Sequence, residues 1–382
     1  MPLPDRARIL VIKAAGIGDL LLAVPSLLAL RARYPRATLD VLVTPQAAEL
    51  MRNAPYIDHV LVVDKAPFDD PGTMWRSIPR LASVIRLARR LRANRYDAAL
   101  LLHHLTLPFG RLKYRMLLAA ARPALRVGLE NGHGSFLDVH VPDAGFGARH
   151  EAEYCADVAA AVGAGVLAPL SGPSLADLGW ESDPDPATAP APAPNPAPLV
   201  ALSVGSGTYS VARRWPLERF MELARRLHDE LGARVAIIAG PDERDLAREA
   251  SVALEEAPWV VAGPGGDGLR ETAQFLARCQ LVVGNDSLPT HLAAAAGTPV
   301  VAIFGPSNAR AWKPLAREPD GYVRIIRRDL ACSPCFYRGH SLGTPQGCPA
   351  RWCLTGLDVD PVFAAARTAL LRRDAIGASA RT

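Results

Sequence analysis

The residues best suited to do chemistry form a polar group in the last third of the chain. A short apolar run, Leu281–Val283, is followed by Asn285, Asp286 and Ser287, and one helical turn later by His291. The run predicts a buried strand, and Asn, Asp and Ser are residue types that cap a helix N-terminus. In open α/β sheets, ligands lie beyond the strands' carboxyl ends, where a helix N-terminus favours phosphate. The group therefore indicates a cradle for a nucleotide diphosphate, although an ordinary βαβ crossover has the same periodicity.

The flanking residues complete a strand–helix–strand unit around this group. Pro289 suits the first turn of a helix, and Gly297 suits its left-handed C-terminal cap. Pro299–Phe304 predicts the next strand, and Gly305–Ser307 a tight loop at its carboxyl end.

From Asn285 to Ser307 the chain resembles the C-terminal signature NDSxxxHLAAAxGTPVVAxFGPS of glycosyltransferase family 9, which contains the lipopolysaccharide heptosyltransferases. The resemblance implies that Asp286 contacts the donor sugar. It also implies that Ser287 and the following N–H groups bind the phosphates, and that His291 binds sugar or phosphate. One residue departs from the signature, because Leu288 stands where the family usually has glycine.

The start of the chain offers a second candidate site. Arg8–Lys13 predicts a strand, a glycine-rich turn follows, and Leu20–Tyr34 predicts a helix. A dinucleotide fingerprint would need a third glycine at Leu21, so a nicotinamide dehydrogenase is disfavoured. Adjacent His103 and His104 are predicted to end a later strand, and because they point to different sides we expect no metal there.

The resemblance to family 9 includes this start, through Gly18-Asp19, Pro25 and Tyr34-Pro35. It implies that Gly18 lines the substrate site and that Asp19 is the base that deprotonates the acceptor hydroxyl. Taken on its residues alone, Asp19 is better explained as a plain N-cap aspartate, and it is the resemblance that favours the base.

The second half repeats the plan of the first. Leu199–Val204 predicts a strand, and the family pattern of small polar turn, basic-x-WP and G-x-D-E falls on Gly207-Thr208, Arg213, Trp215-Pro216 and Glu243. The resemblance implies that Gly207 and Thr208 bind substrate and that Arg213 neutralises charge on the departing diphosphate. It implies that Glu243 bonds ribose or sugar hydroxyls, with a solvated loop carboxylate as the alternative.

A length of 382 residues and alternating strands and helices predict two α/β domains with parallel sheets. Seven prolines within 184–198 indicate an extended linker. We expect an N-terminal acceptor-binding domain over 1–180, a linker over 181–198, and a nucleotide-sugar domain over 199–357. A closing helix and tail over 358–382 is expected to pack back on the N-terminal domain. The resemblance implies the GT-B fold, with two Rossmann-like domains facing each other across a cleft.

Positive charge is concentrated in one stretch of a chain whose net charge is +5. From Arg76 to Arg126 there are twelve Lys or Arg residues and a single acid, Asp97. Such a face suits an anionic membrane, an acidic glycolipid or, least well because no binding motif accompanies it, nucleic acid. A solvated arginine-rich helix surface is the alternative. No apolar run reaches membrane-spanning length and no signal peptide is evident, so we expect a cytoplasmic protein, at most peripheral to the inner membrane.

Four clustered cysteines form the last candidate site. Their spacing suits a structural zinc ion, with free thiols or labile disulfides as alternatives: Cys332, Cys335, Cys348 and Cys353. All four ligand places would be filled, so a metal there would not be catalytic, and transfer is expected to need no cofactor.

The resemblance implies an inverting, metal-independent transferase that moves a heptosyl residue from ADP-heptose to an anionic lipopolysaccharide core acceptor. A family 9 transferase with another nucleotide-sugar donor, and a non-catalytic protein that binds nucleotide-sugars, are the alternatives.

Overall fold

The structure is a computed structural model that describes residues 2–64, 78–165, 170–180, 197–207, 209–254, 257–261, 268–318 and 320–379. The chain forms two compact units. The first comprises 1–173, 177–179 and 339–342, and the second comprises 174–176, 180–338 and 343–382. Most of the predicted linker, 181–196, and the candidate residue Thr208 lie outside the described residues.

The first unit is built on a parallel sheet of six described strands. They are β1 (Arg8–Ile12), β2 (Thr38–Val43), β3 (His59–Val62), β4 (Ala98–Leu101), β5 (Leu125–Glu130) and β6 (Val139–Pro142). The strands pair in the order β3-β2-β1-β4-β5-β6. The inner strands β1, β2 and β4 consist mostly of buried aliphatic residues, as expected for a sheet that is covered on both faces, whereas the edge strands β3 and β6 each bury a single residue.

Helices connect these strands. They are α1 (Ile17–Leu21), α2 (Val24–Arg33), α3 (Pro45–Met51), α4 (Ile78–Ala93), α5 (Pro108–Ala121) and α6 (Glu151–Ala161). The single helix predicted over 20–34 is thus two helices that meet at residues 22 and 23. Pro25 lies in the first turn of α2, where its missing N–H group costs no hydrogen bond.

The second unit repeats this arrangement. Its strands are β7 (Leu199–Ser203), β8 (Arg234–Ile238), β9 (Val260–Val261), β10 (Leu281–Asn285), β11 (Val300–Ile303) and β12 (Val323–Ile326). Its helices are α7 (Leu217–Leu231), α8 (Arg244–Ala253), α9 (Leu269–Arg278), α10 (Leu288–Ala295), α11 (Ala309–Trp312), α12 (Trp352–Thr355) and α13 (Val359–Ser379). The parallel order is β12-β11-β10-β7-β8-β9.

Counted within its own unit, each sheet has the strand order 3-2-1-4-5-6 of the Rossmann fold. In such a sheet the carboxyl ends of all strands lie at one edge. Loops that are distant in sequence therefore meet at that edge, and both candidate sites lie there, one in each unit.

The closing helix α13 is part of the core of the second unit. Val362, Phe363, Ala366 and Leu370 are buried there, together with residues of β7, β8 and α7. That it also packs back on the N-terminal domain stays a prediction. The short segment 339–342 lies outside its predicted domain, because it belongs to the first unit, where the N–H group of Phe146 donates to the Gly339 carbonyl at 2.6 Å.

Candidate active site

Asn285 holds together the carboxyl edge of the second sheet. Its amide Nδ2 donates to the carbonyls of Val204 and Gly205 at 2.9 and 3.0 Å, and its Oδ1 accepts the Trp215 N–H group at 2.9 Å. The residue is fully buried at the end of β10. Its role is therefore to join three loops, and the prediction that it caps α10 is wrong.

Ser287 occupies the N-cap position of α10 without a side-chain capping bond. Its hydroxyl donates to the Asn285 carbonyl at 3.2 Å, and the Thr290 hydroxyl donates to the Ser287 carbonyl at 2.7 Å. The structure thus keeps the predicted strand–helix junction, while the local bonds that close it are not those of a standard cap. His291 follows on α10 and is buried.

Arg213 and Asp286 form an ion pair at this edge. Arg213 Nη1 lies 3.4 Å from Asp286 Oδ2, and Nη2 donates to the Ser206 carbonyl at 2.7 Å. Arg213 Nε and the Ser307 hydroxyl are buried, and neither has a hydrogen-bond partner among the described residues. A buried donor without a partner is costly, and an anionic ligand is the natural way to satisfy it.

Glu243 organises the turn that follows β7. Its Oε1 accepts the N–H groups of Ser206 and Gly207 at 2.8 and 3.0 Å and Arg214 Nη2 at 2.7 Å. Its Oε2 accepts the Gly240 N–H group at 3.2 Å. The carboxylate is buried, so the alternative of a solvated loop carboxylate is wrong. Its observed partners are protein groups, and contact with sugar or ribose stays a prediction.

Two glycines make this turn possible. A Cβ atom on Gly205 would lie 1.9 Å from Glu243 Oε2, and Gly207 has a φ of +71°, which side chains rarely adopt. The close approach of backbone to carboxylate therefore requires glycine at both places.

In the first unit, Asp19 lies in the first turn of α1. Its Oδ2 accepts the N–H group of Gly16, the N-cap residue, at 3.1 Å. Asp19 is therefore not the N-cap itself. It makes only the acidic half of a capping box, because Gly16 has no side chain to return the bond, and the Gly16 N–H group orients its carboxylate. Gly18 precedes it within the same helical turn.

Four charged residues cluster at the carboxyl edge of the first sheet, and one of them, Lys13, is within electrostatic reach of Asp19. His104 bridges Asp143 and Glu151, with Nδ1 2.8 Å from Asp143 Oδ1 and Nε2 2.7 Å from Glu151 Oε1. Lys13 Nζ lies 3.7 Å from Glu151 Oε2 and donates to the Leu102 carbonyl at 2.9 Å. We call Lys13, His104, Asp143 and Glu151 the buried charge network.

Electrostatics keep all four members charged. Burial by itself lowers the pKa of His104, but the hydrogen bonds to Asp143 and Glu151 outweigh it and raise that pKa to about 9. Burial opposes ionisation of Glu151 too, yet His104 and Lys13 lower its pKa. The pKa of Lys13 is raised despite burial, by the charges of Glu151 and Asp19 and by its neighbour Cys155.

The sequence alone does not predict this network. The two adjacent histidines diverge as predicted, since His103 stacks on Tyr114 with ring centroids 4.7 Å apart. The available signal was that His104, Asp143 and Glu151 each stand just after a strand or at the start of a helix. Their meeting depends on the sheet order, which that signal does not contain.

The four clustered cysteines are free thiols, of which Cys353 is buried while Cys332, Cys335 and Cys348 are exposed. Within the described part of the chain, no three His, Cys, Asp or Glu residues are grouped so as to hold a metal ion. Burial raises the pKa of Cys353 to about 11, which opposes the thiolate form that zinc needs. The thiols as placed do not fit a tetrahedral zinc site, and zinc binding stays a prediction.

None of the described helices combines the length and the apolar character needed to cross a membrane.

Comparison with known proteins identifies the family. The family model for "Glycosyltransferase family 9 (heptosyltransferase)" matches residues 84–344. The chain is 27% identical over 344 residues to "Lipopolysaccharide heptosyltransferase 2" of Salmonella typhimurium, covering 85% of this chain and 92% of that relative.

Solved structures show the same fold. The chain is similar to E. coli ADP-heptose LPS heptosyltransferase II, with a TM-score of 0.67, 22% identity, and coverage of 96% of this chain and 99% of that one. It is also similar to E. coli heptosyltransferase WaaC with ADP, with a TM-score of 0.68, 19% identity, and coverage of 95% and 99%. The two Rossmann-like units, this structural likeness and the match over most of the sequence show that the chain is a glycosyltransferase of GT-B fold that belongs to glycosyltransferase family 9.

Proposed function

We propose that the chain transfers a heptosyl residue from ADP-heptose to the inner core of lipopolysaccharide, with inversion at the anomeric carbon. The observation that carries the donor half is Arg213, a cation with one buried N–H group unpaired among the described residues, held by Asp286 at the carboxyl edge of the second sheet. The relatives named above are lipopolysaccharide heptosyltransferases, which supports the sugar and the acceptor class.

In this proposal the diphosphate of the donor binds at Arg213. Ser307 supplies a hydroxyl donor, Ser287 and the N–H groups that follow it at the start of α10 contact the phosphates, and the glycine turn over 205–207 lets backbone approach closely. Asp286 and His291 contact the sugar or its phosphate. Charge develops on the diphosphate as it departs, so a preorganised guanidinium stabilises the transition state more than the ground state.

Asp19 acts as the base in the proposed reaction. The acceptor hydroxyl gives its proton to the Asp19 carboxylate as its oxygen attacks the anomeric carbon. The bond from that carbon to the phosphate oxygen breaks, and its electron pair leaves with ADP. One displacement inverts the configuration. The thiols of the cysteine cluster take no part in these steps.

The direct test measures ADP release from ADP-heptose with deacylated lipopolysaccharide inner core as acceptor. Asp19→Asn is expected to lower kcat by about 10²- to 10⁴-fold, the range for a general base. Arg213→Gln is expected to lower kcat and to weaken ADP binding. Glu153→Gln, which removes an exposed carboxylate of α6 paired with Arg149, is the control and should leave kcat unchanged. Full activity of Asp19→Asn, or a product with retained configuration, would contradict the mechanism.

The donor is tested separately, because another nucleotide-sugar remains the alternative. Thermal stabilisation is measured with ADP-heptose and with UDP-, GDP- and ADP-hexoses at equal concentrations. The largest rise in Tm is expected with ADP-heptose, since a ligand stabilises in proportion to its affinity for the folded state. A larger rise with a UDP- or GDP-sugar would assign a different donor.

We also propose that the first unit contacts the cytoplasmic face of the inner membrane. Exposed arginines of α4, at 86, 89, 90 and 92, accompany the exposed aliphatic residues Leu107, Leu112 and Met116 on and beside α5. Leu112 and Met116 are four residues apart and so share one helix face. Exposed apolar side chains on a unit that also exposes a row of arginines suit an anionic bilayer surface.

Flotation with vesicles tests this contact. We expect binding to vesicles that contain phosphatidylglycerol, weaker binding to pure phosphatidylcholine, and loss of binding in Leu112→Ser/Met116→Ser. Val252→Ser removes an equally exposed aliphatic residue from the second unit and should bind normally. If vesicle binding changes neither with the charge of the lipid nor with the double substitution, the proposed membrane contact is refuted.

A further inference from the structure

The buried charge network continues towards Asp19. From Asp143 through His104 and Glu151 to Lys13, its charges alternate in sign. The Asp19 carboxylate is within electrostatic reach of Lys13. Lys13 stands directly after β1, six residues before Asp19. We propose that the buried charge network, acting through Lys13, positions the Asp19 carboxylate for proton transfer; the inference rests on the proposed role of Asp19.

Burial makes these charges a fixed array. The side chains of Lys13, His104 and Glu151 are 3%, 4% and 5% exposed, and that of Asp143 is fully buried. Charges held away from water interact strongly and cannot move without leaving a partner uncompensated. The ion pair with Glu151 therefore fixes the position of the Lys13 ammonium group.

Each member is held from more than one side. Asp143 accepts Asn131 Nδ2 at 2.9 Å and the Gly145 N–H group at 2.8 Å, and His340 Nε2 lies 3.4 Å away. Phe146 and Tyr154 pack on the His104 ring, with centroids 4.4 and 4.8 Å away. Around Lys13, the buried thiol of Cys155 is a further titratable neighbour besides Glu151 and Asp19. The array is thus held firmly at its Asp143 and His104 end.

For catalysis, the network affects the position of the Asp19 carboxylate. The Gly16 N–H group fixes one oxygen of Asp19, and the attraction of Lys13 adds a second restraint on the carboxylate. A base must lie within hydrogen-bond reach of the proton that it takes. A displacement of about 1 Å can cost up to about 10²-fold in rate. Lys13, Glu151, His104 and Asp143 are accordingly positioning residues; none of them is assigned contact with substrate.

The experiment compares Lys13→Met, Glu151→Gln and the double variant in the full chain, with ADP-heptose and deacylated inner core as substrates. Each single variant leaves one buried charge without its partner and is expected to melt at a lower temperature. The double variant removes both charges and is expected to recover much of that Tm. We expect kcat to fall at least about tenfold in all three, with acceptor KM little changed. Glu153→Gln is the control.

A second comparison shows whether the effect passes through Asp19. In an Asp19→Asn background, Lys13→Met should lower kcat little further, because two residues that act as one unit are not additive. Recovery of kcat together with Tm in the double variant would show that the network is structural only. A rise in acceptor KM at unchanged kcat would make Lys13 a binding residue. Either result overturns the proposal.

Failure of the proposed function is distinguishable from failure of this inference. If Asp19→Asn itself keeps full activity, the role of Asp19 as base is wrong. If Asp19→Asn is inactive while Lys13→Met and Glu151→Gln, with confirmed folding, keep wild-type kcat, only the positioning role is wrong.

Discussion

Replacing His104 by glutamine should destabilise the first unit by an amount that depends on pH. The two carboxylates raise the pKa of His104 to about 9 from an ordinary value of 6.5. Each unit of pKa difference between the folded and unfolded states corresponds to about 1.4 kcal/mol, so the shift contributes about 3 kcal/mol. His104 is almost fully buried, so solvent screens this contribution little.

Because the pKa of His104 is raised in the folded state, the stabilisation that it provides decreases as pH rises. Below pH 6.5 the imidazole is protonated in both states and the stabilisation is fully present. Between pH 6.5 and about 9 the folded protein keeps a proton that the unfolded chain has released, so the stabilisation declines as pH rises. Above about pH 9 it is lost. The stability difference between wild type and His104→Gln should therefore shrink by about 3 kcal/mol between pH 6.5 and pH 10.

Hydrogen exchange followed by mass spectrometry suits this measurement, because it reports on peptides of each unit separately. Five of the six tryptophans belong to the second unit, so total fluorescence would not isolate the first. His140→Gln, an exposed histidine of the same unit, is the control and should show no such trend. A difference that stays constant from pH 6.5 to 10, or an NMR titration of His104 near pH 6.5, would refute the reasoning.

Three further predictions concern the second unit. Gly205→Ala places a Cβ atom 1.9 Å from Glu243 Oε2 and should weaken ADP binding, measured by calorimetry, at least tenfold. Gly268→Ala is the control, because its Cβ would meet nothing closer than 3.9 Å, and it should bind ADP normally. Equal ADP affinities of the two variants would contradict the role of the glycine turn. Asn285→Ala removes the hydrogen-bond partner of two carbonyls and one N–H group and should lower the free energy of unfolding in urea by about 3 kcal/mol. A decrease below about 1 kcal/mol would show that water replaces the side chain. Trp215→Phe deletes the bond from Nε1 to the Leu357 carbonyl and should lower the Tm of the second unit, and an unchanged Tm would mean that this bond does not tie α13 to the core.

Much of the fold could be predicted because its signals are local. β1 and β7 begin at the predicted residue and end one residue before the predicted end, since each is an uninterrupted apolar segment followed by clear turn residues. Weaker segments were missed, among them β6, β12 and α8, whose short or polar sequences resemble loops. The glycine turn and the strand–helix junction at Ser287 were predicted because the conformations they need restrict the residue type.

By itself the sequence determined the two-domain α/β plan, the family signature and the position of Asp19 at the start of the first helix. Only the tertiary structure decided which charges meet. His104 is 47 residues from Glu151 and 39 from Asp143, and Arg213 is 73 from Asp286. Such partners are brought together by the order of strands in each sheet. A periodic pattern specifies which face of an element is buried, but it carries no information about which element lies beside it.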